Sequence, residues 1–410
     1  MEKLALFGGK KAKTVPYSTG NRFGKEELEQ VKEALEQNTL FYFFGNKTKQ
    51  FTEKFAEMYG MKYCYTTSSG TAAVHTALCG IGPGDEVITS PITDFGSVIG
   101  VLFQGAIPVF ADIDPETYNM DPENVEKAIT PKTKAIVVVH LAGNPCDMDG
   151  IMVVARKHNL LVVEDCAQSY LSYYKGKLVG TIGDVGAFSL NDFKHISAGD
   201  GGMCITNDEE RYKKGFMFAD KNYNRFGGNQ RDVPYLAPNY RISELQSAVA
   251  IAQLDKLDFI CSSRNRYGEG LTAGIKDLDG VKIHKVREGN KSSYWFYLMR
   301  VEEEKLGVSR DEFLKALVAE GVNASTYLTN CVYQYPMFKN LNAFDGTKYP
   351  FESPYNDRKI TYPDGLCPLA EKALKQVIYL RVNEFFSERD LKETVEAIRK
   401  VALYYKSLKK

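Results

Sequence analysis

The chain has 410 residues, more than one hydrophobic core usually serves, so a large and a small domain are expected. Its 52 basic and 52 acidic side chains balance, and 44% of its residues are hydrophobic. This composition is ordinary for a globular protein, and it argues against a nucleic-acid-binding surface and against a polybasic membrane patch.

Cysteines and apolar segments indicate the compartment. No N-terminal run is apolar enough for a signal peptide, and no segment approaches the roughly 20 apolar residues of a membrane span. The eight cysteines are scattered without a CxxC pair, and several lie in apolar runs, as Cys204 does. Buried free thiols in a reducing cytoplasm fit this pattern better than disulfides or zinc. Because the five histidines are also dispersed, we expect a cytoplasmic protein without a metal site.

Helices and strands alternate along the first half of the chain. Leu28, Val31 and Leu35 share one face of an amphipathic helix predicted over 25–38. A second helix is predicted over 71–81, after a cluster of small residues. Further strands are predicted over 86–91, 106–112, 134–140, 160–164, 186–190 and 202–206, and helices over 96–104, 122–129 and 149–158. Apolar strands that alternate with helices predict an α/β fold with a mostly parallel sheet, covered by helices on both faces.

The pattern changes after about residue 208. Residues 219–240 predict a long polar loop, and a single helix is predicted over 243–267. The rest alternates predicted strands with helices, which indicates a smaller α+β domain. We therefore expect an N-terminal segment (1–24) packed on the small domain, a large domain (25–260) and a small C-terminal domain (261–410).

Four features lie at or beside the carboxyl ends of predicted strands, where open parallel sheets bind ligands. Ser68-Ser-Gly-Thr71 opens a helix, and its amides and hydroxyls suit a phosphate, although a plain N-cap is the commoner use. Asp165 follows an apolar strand, where a buried carboxylate needs a partner: a pyridinium N–H, a helix N-terminus or an ion pair. Ser189 ends another strand. Lys194 precedes the glycine-rich turn 199–202, which lets the backbone approach a ligand closely.

The ordered set of motifs resembles one family, the DegT/DnrJ/EryC1/StrS family of fold-type-I pyridoxal-phosphate (PLP) aminotransferases. The resemblance runs from about residue 15 to the C-terminus. The motifs that carry it are Ser69-Gly-Thr-Ala-Ala73, Gly82-Pro-Gly-Asp-Glu-Val-Ile88, Ile113-Asp-Pro-Glu-Thr-Tyr118, Glu164-Asp-Cys-Ala-Gln-Ser169, Phe188-Ser189, Lys194 with Gly199-Asp-Gly-Gly202, and Asn239-Tyr-Arg-Ile-Ser-Glu-Leu-Gln246.

The resemblance implies a function and a set of roles. The reaction would transfer an amino group from glutamate or glutamine to a keto sugar (nucleotide-linked, phosphorylated or a keto-cyclitol) in amino-sugar, antibiotic or cell-surface glycan biosynthesis. Lys194 would hold the cofactor covalently, and Asp165 would face its pyridine nitrogen. The other cofactor contacts implied are Ser69, Gly70, Thr71 and Ser189 at the phosphate, Phe95 stacked on the ring, Gln168 near the ring hydroxyl, and Asn239 from the partner subunit of a homodimer.

Three alternative functions are a sugar dehydratase, a non-catalytic PLP-binding regulator and a nucleotide-dependent oxidoreductase. Some members of the family carry histidine in place of the lysine and are sugar dehydratases, and here His195 stands beside Lys194. Counting back from Gly199 puts Lys194 at the cofactor position, although Asp200 replaces the family's usual glutamate. A non-catalytic PLP-binding regulator usually has a DNA-binding region, for which the chain has no spare basic segment. No GxGxxG follows a first strand, which disfavours a nucleotide-dependent oxidoreductase.

Six further residues are candidates for binding substrate: Lys221, Arg225 and Arg231 in the long loop, and Tyr294, Trp295 and Tyr327 in the small domain. The three cations suit a substrate phosphate, although solvated loop charges are the commoner arrangement. The three aromatic residues either line the acceptor pocket or pack in the core.

Overall fold

The computed structural model describes residues 2–229 and 231–409. Within these ranges the α-helices are α1 (Lys25–Glu36), α2 (Lys47–Tyr59), α3 (Gly70–Ala77), α4 (Gly96–Phe103), α5 (Pro122–Ala128), α6 (Met148–His158), α7 (Glu209–Ala219), α8 (Glu244–Asp255), α9 (Leu257–Ile275), α10 (Glu303–Leu306), α11 (Arg310–Ala319), α12 (Pro336–Lys339), α13 (Pro368–Gln376) and α14 (Glu388–Leu408). The strands are β1 (Tyr63–Thr67), β2 (Glu86–Thr89), β3 (Ile107–Phe110), β4 (Thr133–Val139), β5 (Leu161–Asp165), β6 (Tyr173–Tyr174), β7 (Lys177–Leu178), β8 (Val185–Ser189), β9 (Gly202–Thr206), β10 (Val281–Lys282), β11 (Phe296–Val301), β12 (Ala324–Ser325) and β13 (Val377–Arg381). Short 3-10 helices cover Ala5–Phe7, Leu141–Gly143 and Val332–Gln334.

A seven-stranded sheet in the order β1-β9-β8-β5-β4-β2-β3 forms the centre of the first half. Neighbouring strands from β8 to β3 are parallel, whereas β9 runs antiparallel to β8 and to β1. Alternate residues of one strand enter different apolar clusters: Ile136 and Val138 pack on one face, and Ala135 and Val137 on the other. The predicted α/β fold with a mostly parallel, doubly covered sheet is therefore confirmed.

A smaller antiparallel sheet, β10-β11-β13-β12, forms the centre of the second half. Helices α9, α11 and α14 pack with it around one apolar cluster. The N-terminal segment joins this cluster, because Leu4 is fully buried there and the Lys13 ammonium donates to Asp390 Oδ1 at 2.7 Å. Helix α9 runs across the expected boundary at 260/261, and the division into domains stays a prediction.

Two helices differ from expectation. The single helix predicted over 243–267 is wrong, because α8 and α9 are separate helices that meet at Lys256. In α1 the leucines face outward, with Leu28 66% and Leu35 57% exposed, while Glu27 is buried. Glu27 accepts from the Gly24 amide at 2.7 Å and from the Lys256 ammonium at 2.6 Å, and these bonds fix the rotation of the helix.

The expected compartment rests on unpaired, buried cysteines and on the lack of a membrane-spanning segment. All eight cysteines are free, and all except the partly buried Cys79 are buried. No helix in the described part of the chain is long and apolar enough to cross a bilayer.

Candidate active site

The predicted phosphate residues meet where β8 ends and α3 begins. A methyl group at Gly70 would lie 2.5 Å from Ser189 Cβ, so only glycine permits this approach. Ser69 is the N-cap of α3, and its Oγ accepts from the Ala72 amide at 3.1 Å. The first amides of a helix have no acceptor within it, so those of Gly70 and Thr71 remain available to an anion. The N-cap and the phosphate interpretations of this segment are therefore compatible.

Asp165 is the last residue of β5, the neighbour of β8, and it is buried. Its Oδ2 accepts from the Ser97 hydroxyl at 2.7 Å, and its Oδ1 accepts from the Ala167 amide at 3.1 Å. Burial raises the pKa of Asp165, while these two bonds and the charge of Lys194 oppose the rise. Across residues 2–229 and 231–409 this carboxylate has no ion pair, so it is a buried acid that a cationic partner would stabilise.

Ser97 was not among the sequence candidates. It lies in the first turn of α4, and its hydroxyl is also 2.7 Å from that of Thr93. The only signal in the sequence is its place shortly after β2, because strand ends of a parallel sheet share one edge. Its contact with Asp165 depends on how α4 leaves the sheet, which local sequence does not encode.

Lys194 lines a pocket between the two sheets, together with Asp94, Trp295 and Arg381. Its ammonium lies 3.9 Å from the centroid of the Trp295 ring. Burial lowers the pKa of Lys194, and the charges of Asp165 and Asp94 oppose this effect. Lys194 is half-buried, and within the described ranges it makes no ion pair.

His195 points away from this pocket. It is fully buried, its Nε2 lies 3.2 Å from the Ser293 carbonyl oxygen, and its ring packs 5.9 Å from that of Tyr170. Burial holds the pKa of His195 well below its ordinary value. The side chain that faces the pocket is therefore the lysine.

The adjacent aromatic candidates Tyr294 and Trp295 lie in different surroundings. Trp295 lines the pocket, and its indole N–H donates to the Phe193 carbonyl at 2.7 Å, which holds the ring beside Lys194. Tyr294 is fully buried in the core of the small sheet, where its hydroxyl donates to Glu269 at 2.8 Å. Of the two adjacent residues, only Trp295 is brought to Lys194.

Gln168, Tyr327 and Phe95 lie near the same region. Gln168 is buried, and its Oε1 accepts from the Ala142 amide at 2.8 Å. Burial raises the pKa of Tyr327, and a hydrogen bond with Gln168 opposes the rise. Phe95 precedes α4 and packs edge-on against Tyr335, with ring centroids 6.2 Å apart. Gln168 and Tyr327 are thus in contact, whereas Phe95 meets a different residue of the second half of the chain.

The long loop is organised by the buried carboxylate of Asp220. The Arg225 guanidinium and the Tyr42 hydroxyl both donate to its Oδ2 at 2.7 Å. Arg241 lies 3.4 Å from its other oxygen and donates to Asn239 Oδ1 at 2.8 Å. Asn239 itself is exposed. Arg225 is therefore a structural anchor of the loop.

The other two loop cations remain near the surface. The Lys221 ammonium lies 4.2 Å from the centroid of the Tyr223 ring, and Arg231 is exposed. Neither belongs to the residues that line the pocket with Lys194 in this single chain.

Comparison with known proteins places the chain in a family. Residues 21–363 match the model of the DegT/DnrJ/EryC1/StrS aminotransferase family. The chain belongs to this family. It is therefore an aminotransferase, as the motifs led us to expect.

Named relatives cover almost the whole of this aminotransferase. It is 34% identical over 397 residues to the spore coat polysaccharide biosynthesis protein SpsC of Bacillus subtilis, covering 94% of this chain and 97% of the relative. It is 35% identical over 383 residues to the GDP-perosamine synthase of Escherichia coli O157:H7, covering 92% and 100%. The solved structure of an aminotransferase from Psychrobacter cryohalolentis is 31% identical with a TM-score of 0.84, covering 95% of this chain and 99% of that one.

One buried cluster of this aminotransferase has metal-ligating side chains but is explained by hydrogen bonds. His140, Glu164 and Cys166 offer ligand atoms within 4.8 Å of one another. Glu164 already accepts from His140 Nε2 and from the amides of three residues (Gly180, Ile182 and Gly183). The second nitrogen of His140 accepts from the Cys146 amide. The cluster fastens β4 and β5 to the loop before β8.

Proposed function

We propose that this aminotransferase uses PLP, held at Lys194, to move an amino group from glutamate or glutamine to a keto sugar. The observation that carries the proposal is the proximity of a half-buried lysine, which lines the pocket, to a buried aspartate, where neither side chain forms an ion pair among the described residues. Each group alone is costly to bury, and together they match the two ends of a cofactor that bears an aldehyde and a basic ring nitrogen.

The residues present fit PLP in charge and in hydrogen-bonding chemistry. The Asp165 carboxylate would accept from the protonated ring nitrogen, which supplies the positive partner that it lacks. The Gly70 and Thr71 amides and the Ser189 hydroxyl would bind the phosphate, since the approach of α3 to β8 leaves no room there for a side chain at Gly70. When bound, PLP supplies an electron sink for negative charge at the substrate carbon that carries the amine.

Lys194 is suited to moving a proton. Because burial lowers the pKa of Lys194, its neutral amine is more accessible near neutral pH than that of a solvated lysine. A neutral amine in the pocket would take the proton from the donor carbon that bears the amine, and in the second half-reaction the protonated amine would deliver a proton to the former carbonyl carbon of the acceptor. Trp295, held by the Phe193 carbonyl, limits the positions that this amine adopts and excludes water from one side.

Several details of the proposal rest on the relatives and on exposed residues. One relative is named for a GDP-linked product, and another, 37% identical over 327 residues, is named as an L-glutamine:3-amino-2,3-dideoxy-scyllo-inosose aminotransferase. These names favour a nucleotide-linked keto sugar or a keto-cyclitol over a phosphorylated keto sugar. The exposed Asn239, oriented by Arg241, supports a homodimer in which the loop reaches the partner's cofactor phosphate.

A labelling experiment tests the cofactor and its lysine. The purified protein, incubated with PLP, is expected to absorb in the visible range, and glutamate is expected to shift that band. In a separate sample without glutamate, borohydride reduction of the PLP-loaded protein followed by peptide mapping should find the label on Lys194. Lys194→Ala is expected to lose the label, and His195→Gln, the matched control, to keep it.

Two outcomes would contradict the proposal. A protein that PLP does not colour would refute the cofactor, and a label on another lysine would refute the position. The acceptor is tested separately, by offering GDP- and dTDP-linked keto sugars, a keto-hexose phosphate and a keto-inositol to the aminated cofactor form and measuring recovery of the original band.

A further inference from the structure

Strand β13 carries a pair of polar side chains into the pocket of Lys194. Side chains alternate along a strand, so Tyr379 and Arg381 share one side of β13, while Ile378 and Leu380 point into the core of the small sheet. Both Tyr379 and Arg381 line the same pocket as Lys194 and Trp295. The strand therefore presents a hydroxyl and a guanidinium to this space.

Arg381 differs from the other two arginines of the pocket. Arg264 donates twice to Glu384 Oε2, at 3.0 and 2.7 Å, and Arg22 donates to the other oxygen of the same carboxylate at 3.3 Å. Over residues 2–229 and 231–409, the Arg381 side chain has no ion pair and no hydrogen bond, and the Tyr379 hydroxyl has no hydrogen bond either. The Glu384 carboxylate is thus paired with two arginines, whereas the Arg381 guanidinium has no partner among the described residues.

The acids of the pocket do not compete for Arg381. Asp94 accepts from the Gly96 amide at 2.8 Å and interacts electrostatically with Lys194, and Asp192 accepts from the Ser197 hydroxyl at 3.2 Å. A free guanidinium beside a hydroxyl is a donor set for an oxyanion, because its fork matches the two oxygens of a carboxylate or a phosphate.

We propose that Arg381, with Tyr379 beside it, binds an oxyanion of the substrate, either the carboxylate of the amino donor or a phosphate of the acceptor. The inference rests on the proposed function, since it takes Lys194 to mark the reacting centre. It adds a specificity residue from the smaller sheet to a site whose proposed cofactor contacts come mostly from the large sheet and its connections.

The chain offers a direct measurement of binding. Trp295 is its only tryptophan, so tryptophan fluorescence of the PLP-loaded protein reports on this pocket alone. L-glutamate serves as the carboxylate probe and GDP as the phosphate probe. The variants are Arg381→Gln, Arg381→Lys and Tyr379→Phe, with Arg156→Gln, an exposed arginine on α6, as the matched control.

Arg381→Gln is expected to weaken one of the two probes by roughly 10- to 100-fold, the loss typical of a hydrogen-bonded charge pair. Arg381→Lys should lie between Arg381→Gln and the unmodified protein, because it keeps the charge but loses the fork. Tyr379→Phe should weaken the same probe by a smaller factor, and Arg156→Gln should bind both probes normally. A loss confined to glutamate assigns Arg381 to the donor, and a loss confined to GDP assigns it to the acceptor.

The inference is overturned if Arg381→Gln binds both probes as tightly as the unmodified protein does. It is also overturned if Arg381→Gln and Arg156→Gln lose affinity equally, because the effect then reflects surface charge in general. An unmodified protein that responds to neither probe would contradict the proposed function itself. Thermal unfolding of each variant checks the fold, which a change at the exposed Arg381 should leave intact.

Discussion

The hydrogen bond from Ser97 to Asp165 offers the sharpest test of how this site is tuned. Ser97→Ala removes the 2.7 Å bond to Oδ2 and leaves the Ala167 amide as the remaining donor to this carboxylate. Burial already raises the pKa of Asp165, and the hydrogen bond from Ser97 is the largest of the contributions that oppose this rise. The variant's pKa should therefore be higher still.

The sign of the pH effect follows from which form of Asp165 is needed. Only the ionised carboxyl pairs with a protonated ring nitrogen, so PLP binding is strongest above the pKa of Asp165 and is lost as the pH falls through it. In Ser97→Ala this loss should begin at higher pH. A hydrogen bond to a charged group contributes about 1.5–3 kcal/mol, so affinity for PLP should fall by roughly 10- to 100-fold at the acid end and by less near neutrality.

The assay is a series of PLP titrations from weakly acidic to weakly basic pH, followed by absorbance and by Trp295 fluorescence. Ser247→Ala is the matched control, because Ser247 is also a buried serine, with its hydroxyl 2.9 Å from that of Thr48 and outside the pocket. If Ser97→Ala keeps the unmodified pH dependence while remaining folded, Asp165 is not the group that holds the ring nitrogen, and the reasoning fails.

Three further changes probe other parts of the site. Gly70→Ala forces a methyl group to within 2.5 Å of Ser189 Cβ and should weaken PLP binding at least 10-fold in titrations. Gly82→Ala is the control, because a methyl group there meets nothing within 4 Å and PLP binding should not change. Equal PLP affinities of the two variants would disprove the close approach at Gly70. Asp220→Ala leaves Arg225 and Arg241 without their shared carboxylate. The free energy of unfolding, measured by denaturant titration, should fall by about 3–5 kcal/mol. A loss below about 1 kcal/mol would show that the loop does not depend on the Asp220 carboxylate. Asn239→Ala should speed PLP dissociation from the dimer without moving the Lys194 label, and an unchanged dissociation rate would count against a phosphate contact across the interface.

Prediction from sequence succeeded where the signal is periodic or local. The apolar runs at 134–140 and 160–164 became the central strands β4 and β5, since continuous apolar segments bounded by helices have few other arrangements. Counting from the glycine turn separated Lys194 from His195, and the structure turns the first into the pocket and the second into the core. The segment containing α2 and β1 carried no prediction, although Phe51, Phe55 and Tyr59 recur at the spacing of one helix face and are buried in the structure.

What the sequence by itself determined is the layered fold and the family, while its choice of Lys194 and Asp165 as cofactor residues stays a prediction. Only the tertiary structure decided that Trp295 and not Tyr294 meets Lys194, that Ser97 bonds to Asp165, and that Glu27 is buried in α1 while Leu28 is exposed. The physical reason is the distance along the sequence between the residues that interact. Periodicity and turns are encoded in neighbouring residues, whereas the partner of a buried charge comes from a segment tens or hundreds of residues away, and only the folded chain brings the two together.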